Sequence, residues 1–205
     1  MWSEIVRATG QHIVIVTIAV IVATAAGVPL GIICVRHGRW GKVALRLIDV
    51  IQTIPSLALF GFLIPLPFIG GIGIRTAIVA LILYSLLPIV RNTVTGIAGI
   101  DPLIREAAIV VGMTDRQRLF EVELPLALPS IFGGLRIATV IAIGVATIGA
   151  AVGGGGLGTL IFRGVAMVDT TRILAGALPA AALALIADLI FASLERLAAR
   201  RFGGS

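Results

Sequence analysis

Residues that could carry out covalent chemistry are few and scattered in this sequence. It holds two histidines, one cysteine and ten carboxylates. None of them forms a metal-ligand spacing, a nucleophile motif or a phosphate-binding Walker loop. Cys34 is the lone cysteine, which excludes an internal disulfide and a CxxC metal site. An intramembrane enzyme would need paired catalytic residues, so these absences argue against an enzyme.

Polar side chains inside long apolar runs are the remaining chemical signal, because hydrocarbon tolerates them only where they line a bundle or a cavity. Gln52 is the strongest candidate, since the nearby Pro55 frees a backbone carbonyl and loosens a helix there. Hydrogen bonds between neighbouring helices are the alternative role for such groups. The residues predicted to line a translocation pathway are Gln52, Thr53, Ser56, Tyr84 and Thr147.

The composition is that of a membrane protein. Of 205 residues, 59% are hydrophobic and 13% are charged, with a mean hydropathy of +1.13. Soluble domains average about 45–50% apolar and about 25% charged residues. We therefore predict an all-α polytopic membrane protein with one transmembrane domain over residues 1–205. The net charge of +6 is interpreted as a signal of membrane orientation and not of nucleic-acid binding.

Five apolar segments are long enough to span a bilayer, which takes about 20 residues. They are about 13–35, 43–65, 74–90, 130–152 and 173–194. A cleaved signal peptide is disfavoured, because the amino end carries Glu4 as well as Arg7. His12 precedes the first span and is expected at the membrane interface. The glycine-rich stretch 153–158 predicts a linker, a tight turn or a phosphate cradle.

The polar segment 91–129 separates the third and fourth spans. Asp101 can cap the start of a helix, and Gly112 can end it in the left-handed conformation. A second short helix is expected over 115–120, with Pro125 and Pro129 closing the segment. A helix-turn-helix between membrane spans is suited to contact with a partner protein.

The same segment resembles the EAA loop of ABC importer permeases. Its Glu-Ala-Ala run is followed after three residues by glycine, and after nine more by Val122-Glu123-Leu124-Pro125. The family pattern has isoleucine in place of Val122, which keeps a β-branched apolar side chain. The resemblance implies coupling helices that seat in a groove of a cytoplasmic ATPase. The implied coupling residues are Glu106, Ala107, Ala108, Gly112, Leu124 and Pro125.

Three further stretches, 52–66, 83–97 and 149–165, resemble the permease subunits of osmoprotectant importers. Such importers carry glycine betaine, carnitine, choline and similar quaternary ammonium compounds. The resemblance implies a type I ABC importer fold in a prokaryotic cytoplasmic (inner) membrane. It implies a second permease subunit, identical or homologous, a separate extracytoplasmic solute-binding protein, and two ATPase subunits that bind ATP and Mg. It implies no catalytic residue, cofactor or metal in this chain.

Basic residues set the predicted orientation. If the segment 91–129 is cytoplasmic, five spans place 12 of the 16 Lys and Arg residues inside and 4 outside. The positive-inside rule then puts the amino end outside and the carboxyl end in the cytoplasm. This count does not depend on the resemblance and agrees with it.

Two other functions stay open on the sequence alone. One is an ABC permease for methionine or another amino acid, since the EAA loop marks the superfamily more securely than the solute. The other is a passive channel or an ion-coupled carrier, against which the coupling segment argues. Solute accumulation that survives an ionophore but requires an ATPase separates the ABC importer from this second class.

Overall fold

The computed structural model describes residues 1–67 and 69–202, and this part of the chain is helical, with no β-strand. The helices are α1 (Trp2–Arg36), α2 (Gly38–Thr53), α3 (Ser56–Leu63), α4 (Ile74–Ala98), α5 (Pro102–Val110), α6 (Asp115–Gln117), α7 (Leu124–Gly149), α8 (Gly158–Ala166) and α9 (Thr170–Phe202). A π-helical turn, Arg118–Glu123, joins α6 to α7, and a 3₁₀ turn, Ala150–Val152, follows α7. The predicted all-α class is confirmed.

Helices of membrane length dominate the chain. Among the described residues, α1, α4, α9 and the continuous helix Asp115–Val152 are each long and apolar enough to cross a membrane. Hydropathy marks only the apolar part of a helix, whereas backbone hydrogen bonding continues into its polar ends. Four predicted spans therefore lie inside longer helices, namely 13–35, 74–90, 130–152 and 173–194.

The remaining predicted span, 43–65, is not one straight helix. It is divided between α2 and α3, which are bent by 102° relative to each other. Pro55 causes the break, because its ring disfavours a helical conformation at Ile54, which is extended (φ −72°, ψ 124°). The pair counts as a fifth span only if both helices together cross the membrane.

Helix α4 lies at the centre of the bundle, packed against α1 on one side and α7 on the other. Small residues allow this close approach. A Cβ added at Gly31 of α1 would lie 2.6 Å from the side chain of Thr93, and one at Gly134 of α7 would lie 2.7 Å from that of Asn92. Helix α9 covers the far side of α7, and α2 and α3 pack on α4.

The amino end belongs to the bundle. Helix α1 begins at Trp2, and His12 is 1% exposed, with its Nε2 3.2 Å from the Ile143 carbonyl oxygen. His12 is therefore packed between helices, which the sequence did not indicate, and its interfacial depth stays a prediction. Its ring is buried because α1 packs against α7 and against the glycine-rich stretch, where a Cβ at Gly156 would lie 2.9 Å from His12 Nδ1.

The glycine-rich stretch 153–158 is a tight, close-packed turn. Gly153, Gly155 and Gly156 adopt positive φ angles of 81°, 78° and 71°. The Gly156 N–H donates to Gln11 Oε1 at 3.1 Å, and a Cβ at Gly155 would lie 2.3 Å from the Gln11 side chain. Of the three predicted roles, the stretch therefore takes that of a turn seated on α1.

Arg136 is not a loop charge, although the orientation count placed it inside. It lies twelve residues after Leu124 and thirteen before Gly149, near the middle of α7. There it pairs with Asp188 of α9. Without Arg136 the predicted split becomes eleven basic residues against four, which still favours the same orientation.

Candidate functional site

The first helix of the polar segment forms as the sequence predicts. Asp101 caps α5 by accepting a hydrogen bond from the Leu103 N–H at 2.9 Å, and Pro102 occupies its first turn. Gly112 follows the helix with a φ of +87°. Both predicted end signals are confirmed.

The second helix starts as expected but continues much further. Thr114 and Gln117 form a capping box, in which each side chain bonds the backbone N–H of the other residue. The helix then passes through the π-helical turn into α7, so Pro125 and Pro129 lie inside it. The prediction that these prolines close the segment was wrong. Proline has no N–H to donate to the preceding turn of a helix. The wider π-helical turn just before Pro125 allows the helix to continue in spite of this missing hydrogen bond.

The helices from Pro102 to Glu123, here called the loop helices, place the predicted coupling residues at different depths. Glu106, Ala107 and Gly112 are exposed. Ala108 is buried, whereas Leu124 and Pro125 are half-buried where the π-helical turn meets α7.

Large apolar side chains surround the exposed residues that were predicted for coupling. The most exposed belong to α5 and its end, and Phe120 of the π-helical turn adds another. Contiguous exposed apolar surface rimmed by polar residues is typical of a protein-binding site. The exposed fractions are 70% for Leu103, 85% for Val110, 79% for Val111 and 58% for Phe120.

Glu123 is the buried centre of this region, and sequence reasoning missed its role. Its side chain is 8% exposed and lies within ion-pairing distance of three arginines. The nitrogen–oxygen distances are 3.3 Å to Arg36, 3.4 Å to Arg105 and 3.6 Å to Arg118. A buried carboxylate needs such partners, because an uncompensated buried charge is strongly destabilising.

The Glu123 cluster joins four parts of the fold. Arg36 ends α1, Arg105 belongs to α5, and Arg118 and Glu123 lie in the π-helical turn before α7. Arg105 also donates to the Ile97 carbonyl at the end of α4. The orientation of the loop helices is thus tied to the ends of the membrane helices. The one signal in the sequence was an acid placed between the apolar Val122 and Leu124, which neither position nor spacing links to Arg36.

Two predicted pathway residues meet at the break between α2 and α3. Gln52 Nε2 donates to the Tyr84 carbonyl at 2.8 Å, and the Tyr84 hydroxyl donates to the Ile54 carbonyl. Ile54 is the residue at which α2 ends, so its carbonyl would otherwise lack a partner. These two side chains hold the break against α4.

The other three predicted pathway residues make no polar contact with another helix among the described residues. Thr53 donates to the Val50 carbonyl and Thr147 to the Gly144 carbonyl, each at 2.7 Å. Ser56 is half-buried at the start of α3. Among residues 1–67 and 69–202, no three His, Cys, Asp or Glu side chains approach closely enough to hold a metal ion.

A bundle of membrane-length helices, with a water-exposed pair of loop helices held by buried ion pairs, defines a polytopic membrane protein with a surface for a partner. The family model of the binding-protein-dependent transport system inner membrane component matches residues 27–202. The chain belongs to that family, and it is a multi-pass inner-membrane permease component.

Several curated proteins are similar over most of their length. The osmoprotectant import permease protein OsmW of Salmonella typhimurium is 48% identical over 91% of this chain and 88% of its own. The choline transport system permease protein OpuBB of Bacillus subtilis is 42% identical over 95% and 88%. The carnitine transport permease protein OpuCD of Listeria monocytogenes is 43% identical over 95% and 86%.

Solved structures share the fold at low sequence identity. A chain of the inward-facing MetNI methionine ABC transporter superposes with a TM-score of 0.86 at 23% identity, covering 97% of both chains. A chain of an amino acid ABC transporter with histidines superposes with a TM-score of 0.73 at 20% identity. These likenesses place the chain in the type I ABC importer permease fold.

Proposed function

We propose that this chain is the membrane subunit of an ATP-driven importer for a quaternary ammonium osmoprotectant, of the glycine betaine, carnitine and choline class. The observation that carries the proposal is the 48% identity to an osmoprotectant import permease over 91% of the chain. Relatives named for choline and carnitine transport support the same class of solute. The methionine and amino acid transporters share only the fold at 20–23% identity, which favours that alternative less.

The loop helices are the proposed docking site for the ATPase. Exposed apolar side chains flank Glu106 and Ala107 on α5, and a partner groove would bury them. Gly112 lies at the turn between the two loop helices, and Phe120 contributes an exposed apolar side chain from the second of them. Leu124 and Pro125, at the start of α7, would carry motion of the docked helices into the bundle.

The complete importer is proposed to contain further components. We propose two ATPase subunits, which bind ATP and Mg and carry out hydrolysis, a second permease subunit that is identical or homologous, and an extracytoplasmic binding protein. The amino end would lie outside and the carboxyl end in the cytoplasm. The pathway roles of Gln52, Thr53, Ser56, Tyr84 and Thr147 also belong to this proposal.

Reconstituted transport tests the function. The permease, its ATPase and its binding protein are placed in lipid vesicles, and uptake of labelled glycine betaine, carnitine, choline and methionine is measured with and without ATP. Uptake of a quaternary ammonium solute that requires both ATP and the binding protein is the expected result. Uptake of methionine alone would favour the amino acid alternative, and uptake without ATP would favour a channel or carrier.

A further inference from the structure

A cavity of about 420 Å³ lies between α4, α7 and α9, and its wall carries charge. The charged side chains are Arg136 from α7 and Asp188 and Glu195 from α9, and Asn92 of α4 adds an amide. Ile137, Val140 and Ile141 form the apolar part of the wall. No residue predicted for the pathway from the sequence lines this cavity.

The charges in the wall are unequally paired. Arg136 donates two hydrogen bonds to Asp188, from Nε to Oδ1 at 2.6 Å and from Nη2 to Oδ2 at 2.9 Å. Glu195 lies further off, with its Oε2 3.7 Å from Arg136 Nη1. One guanidinium thus faces two carboxylates, which gives the wall a formal charge of −1. The three side chains are each 36–38% exposed, so they are accessible from the cavity.

The pair lies inside the predicted spans 130–152 and 173–194, six residues from the ends that are nearest the loop helices. Arg136 is at the middle of α7, and Asp188 lies eighteen residues after Thr170 and fourteen before Phe202, near the middle of α9. Charged residues within membrane helices usually face a bundle interior or a water-filled cavity. We therefore expect the open side of this cavity to face water or protein and not lipid.

We propose that the cavity is a contact site for the cationic head group of the solute, with the Glu195 carboxylate as its counter-charge and the Arg136–Asp188 pair as a fixed wall. The inference rests on the proposed function and adds a place and a charge to it. A quaternary ammonium has no N–H to donate, so it is recognised by negative charge or by aromatic rings. The described lining of the cavity contains no aromatic side chain. A carboxylate contact in a half-open cavity is weak, as a passage site must be to release its solute.

The first test asks whether the cavity is wet, and it does not depend on transport. In a Cys34→Ala background, Ile137→Cys on the cavity wall is compared with Ile21→Cys on the outer face of α1. These isoleucines are 48% and 62% exposed. The assembled transporter is placed in nanodiscs, where a charged thiol reagent reaches both faces, and labelling rates are measured. Faster labelling of Ile137→Cys is expected, and equal rates would overturn the inference.

The second test asks whether Glu195 acts on the solute's charge. The maximal uptake rates of choline, a cation, and glycine betaine, a zwitterion, are compared at saturating binding protein. In Glu195→Gln the ratio of the choline uptake rate to the glycine betaine uptake rate should fall about fivefold. This is the effect of losing the attraction between two unit charges about 4 Å apart in water. Glu195→Asp should keep the ratio.

A matched control removes another carboxylate. Glu4→Gln breaks the ion pair to Arg163, which has a 3.2 Å contact and lies outside the cavity. Its ratio should equal that of the unaltered transporter. An unchanged ratio in Glu195→Gln, with both solutes carried by the unaltered transporter, would refute the cavity site alone. If the unaltered transporter carries neither solute, the proposed function itself fails, and the contact site fails with it.

Discussion

The Glu123 carboxylate lies 3.4 Å from the guanidinium of Arg105, which ties α5 to the start of the membrane helix α7. The same carboxylate reaches Arg36 at the end of α1. One buried acid thereby fixes the surface that we assign to the ATPase relative to the bundle. We therefore predict that Glu123 positions the proposed docking surface for the ATPase.

Glu123→Gln should uncouple the transporter while the chain still inserts. The change removes the shared counter-charge of Arg36 and Arg105, whereas Arg118 keeps its 2.7 Å contact with Asp115. The partial exposure of these arginines limits the destabilisation to about 1–3 kcal/mol. The readouts are thermal denaturation of the purified complex and the ratio of solute uptake to ATP hydrolysis. Glu4→Gln, which removes an exposed acid paired with Arg163 outside the loop helices, is the control and should behave like the unaltered protein. Full coupling in Glu123→Gln would contradict the positioning role.

Gly112→Asp should abolish ATP-driven uptake without preventing assembly. No atom lies within 4 Å of a Cβ built there, so the side chain fits, and the left-handed backbone adds strain of about 1–2 kcal/mol. Uptake and pull-down of the ATPase are measured. Gly38→Asp is the control, since Gly38 also has a positive φ and open space but lies between α1 and α2. Near-normal uptake in Gly112→Asp would refute the coupling assignment.

Tyr84→Phe should loosen the break between α2 and α3 without changing which solutes are carried. The lost hydroxyl leaves the Ile54 carbonyl without its donor, at a cost of about 1–3 kcal/mol. Hydrogen exchange over residues 50–60 should quicken, and Gln52→Leu, which removes the bond to the Tyr84 carbonyl, should have a similar effect. A changed solute preference, measured with the same binding protein, would place selectivity at Tyr84.

Reporter fusions test the orientation. A fusion at Gly71, between α3 and α4, should be read as external, and one after Phe202 as cytoplasmic. The basis is the excess of basic residues on the side of the loop helices. A cytoplasmic Gly71 would contradict the five-span arrangement and require α2 and α3 to remain on one side of the membrane.

Local signals in the sequence were readable, and long-range contacts were not. Asp101 and Gly112 act on their own helix ends, so residue type and spacing predicted both ends of α5. Pro55 predicted a weak point, but neither the 102° bend nor the hydrogen bond from Gln52 to the Tyr84 carbonyl that holds it against α4 could be predicted from the sequence. Pro125 misled, because the π-helical turn that accommodates it has no simple sequence signature.

The ion pairs show the same limit more sharply. Glu123 and Arg36 are 87 residues apart, and Arg136 and Asp188 are 52 apart. No periodic pattern connects such positions. They become neighbours only when α1, α7 and α9 pack together.

The continuous helix Asp115–Val152 gives the molecule a mechanical property. Its 38 residues correspond to about 57 Å of helix at 1.5 Å per residue. One end carries part of the exposed apolar surface, and the other leads into the glycine turn that rests on Gln11. We expect a displacement of the Asp115 end to be carried along this helix and to shift the opposite end of the bundle. The helix would then pivot at the π-helical turn near Asp115, which the ion pairs of Glu123 hold in place.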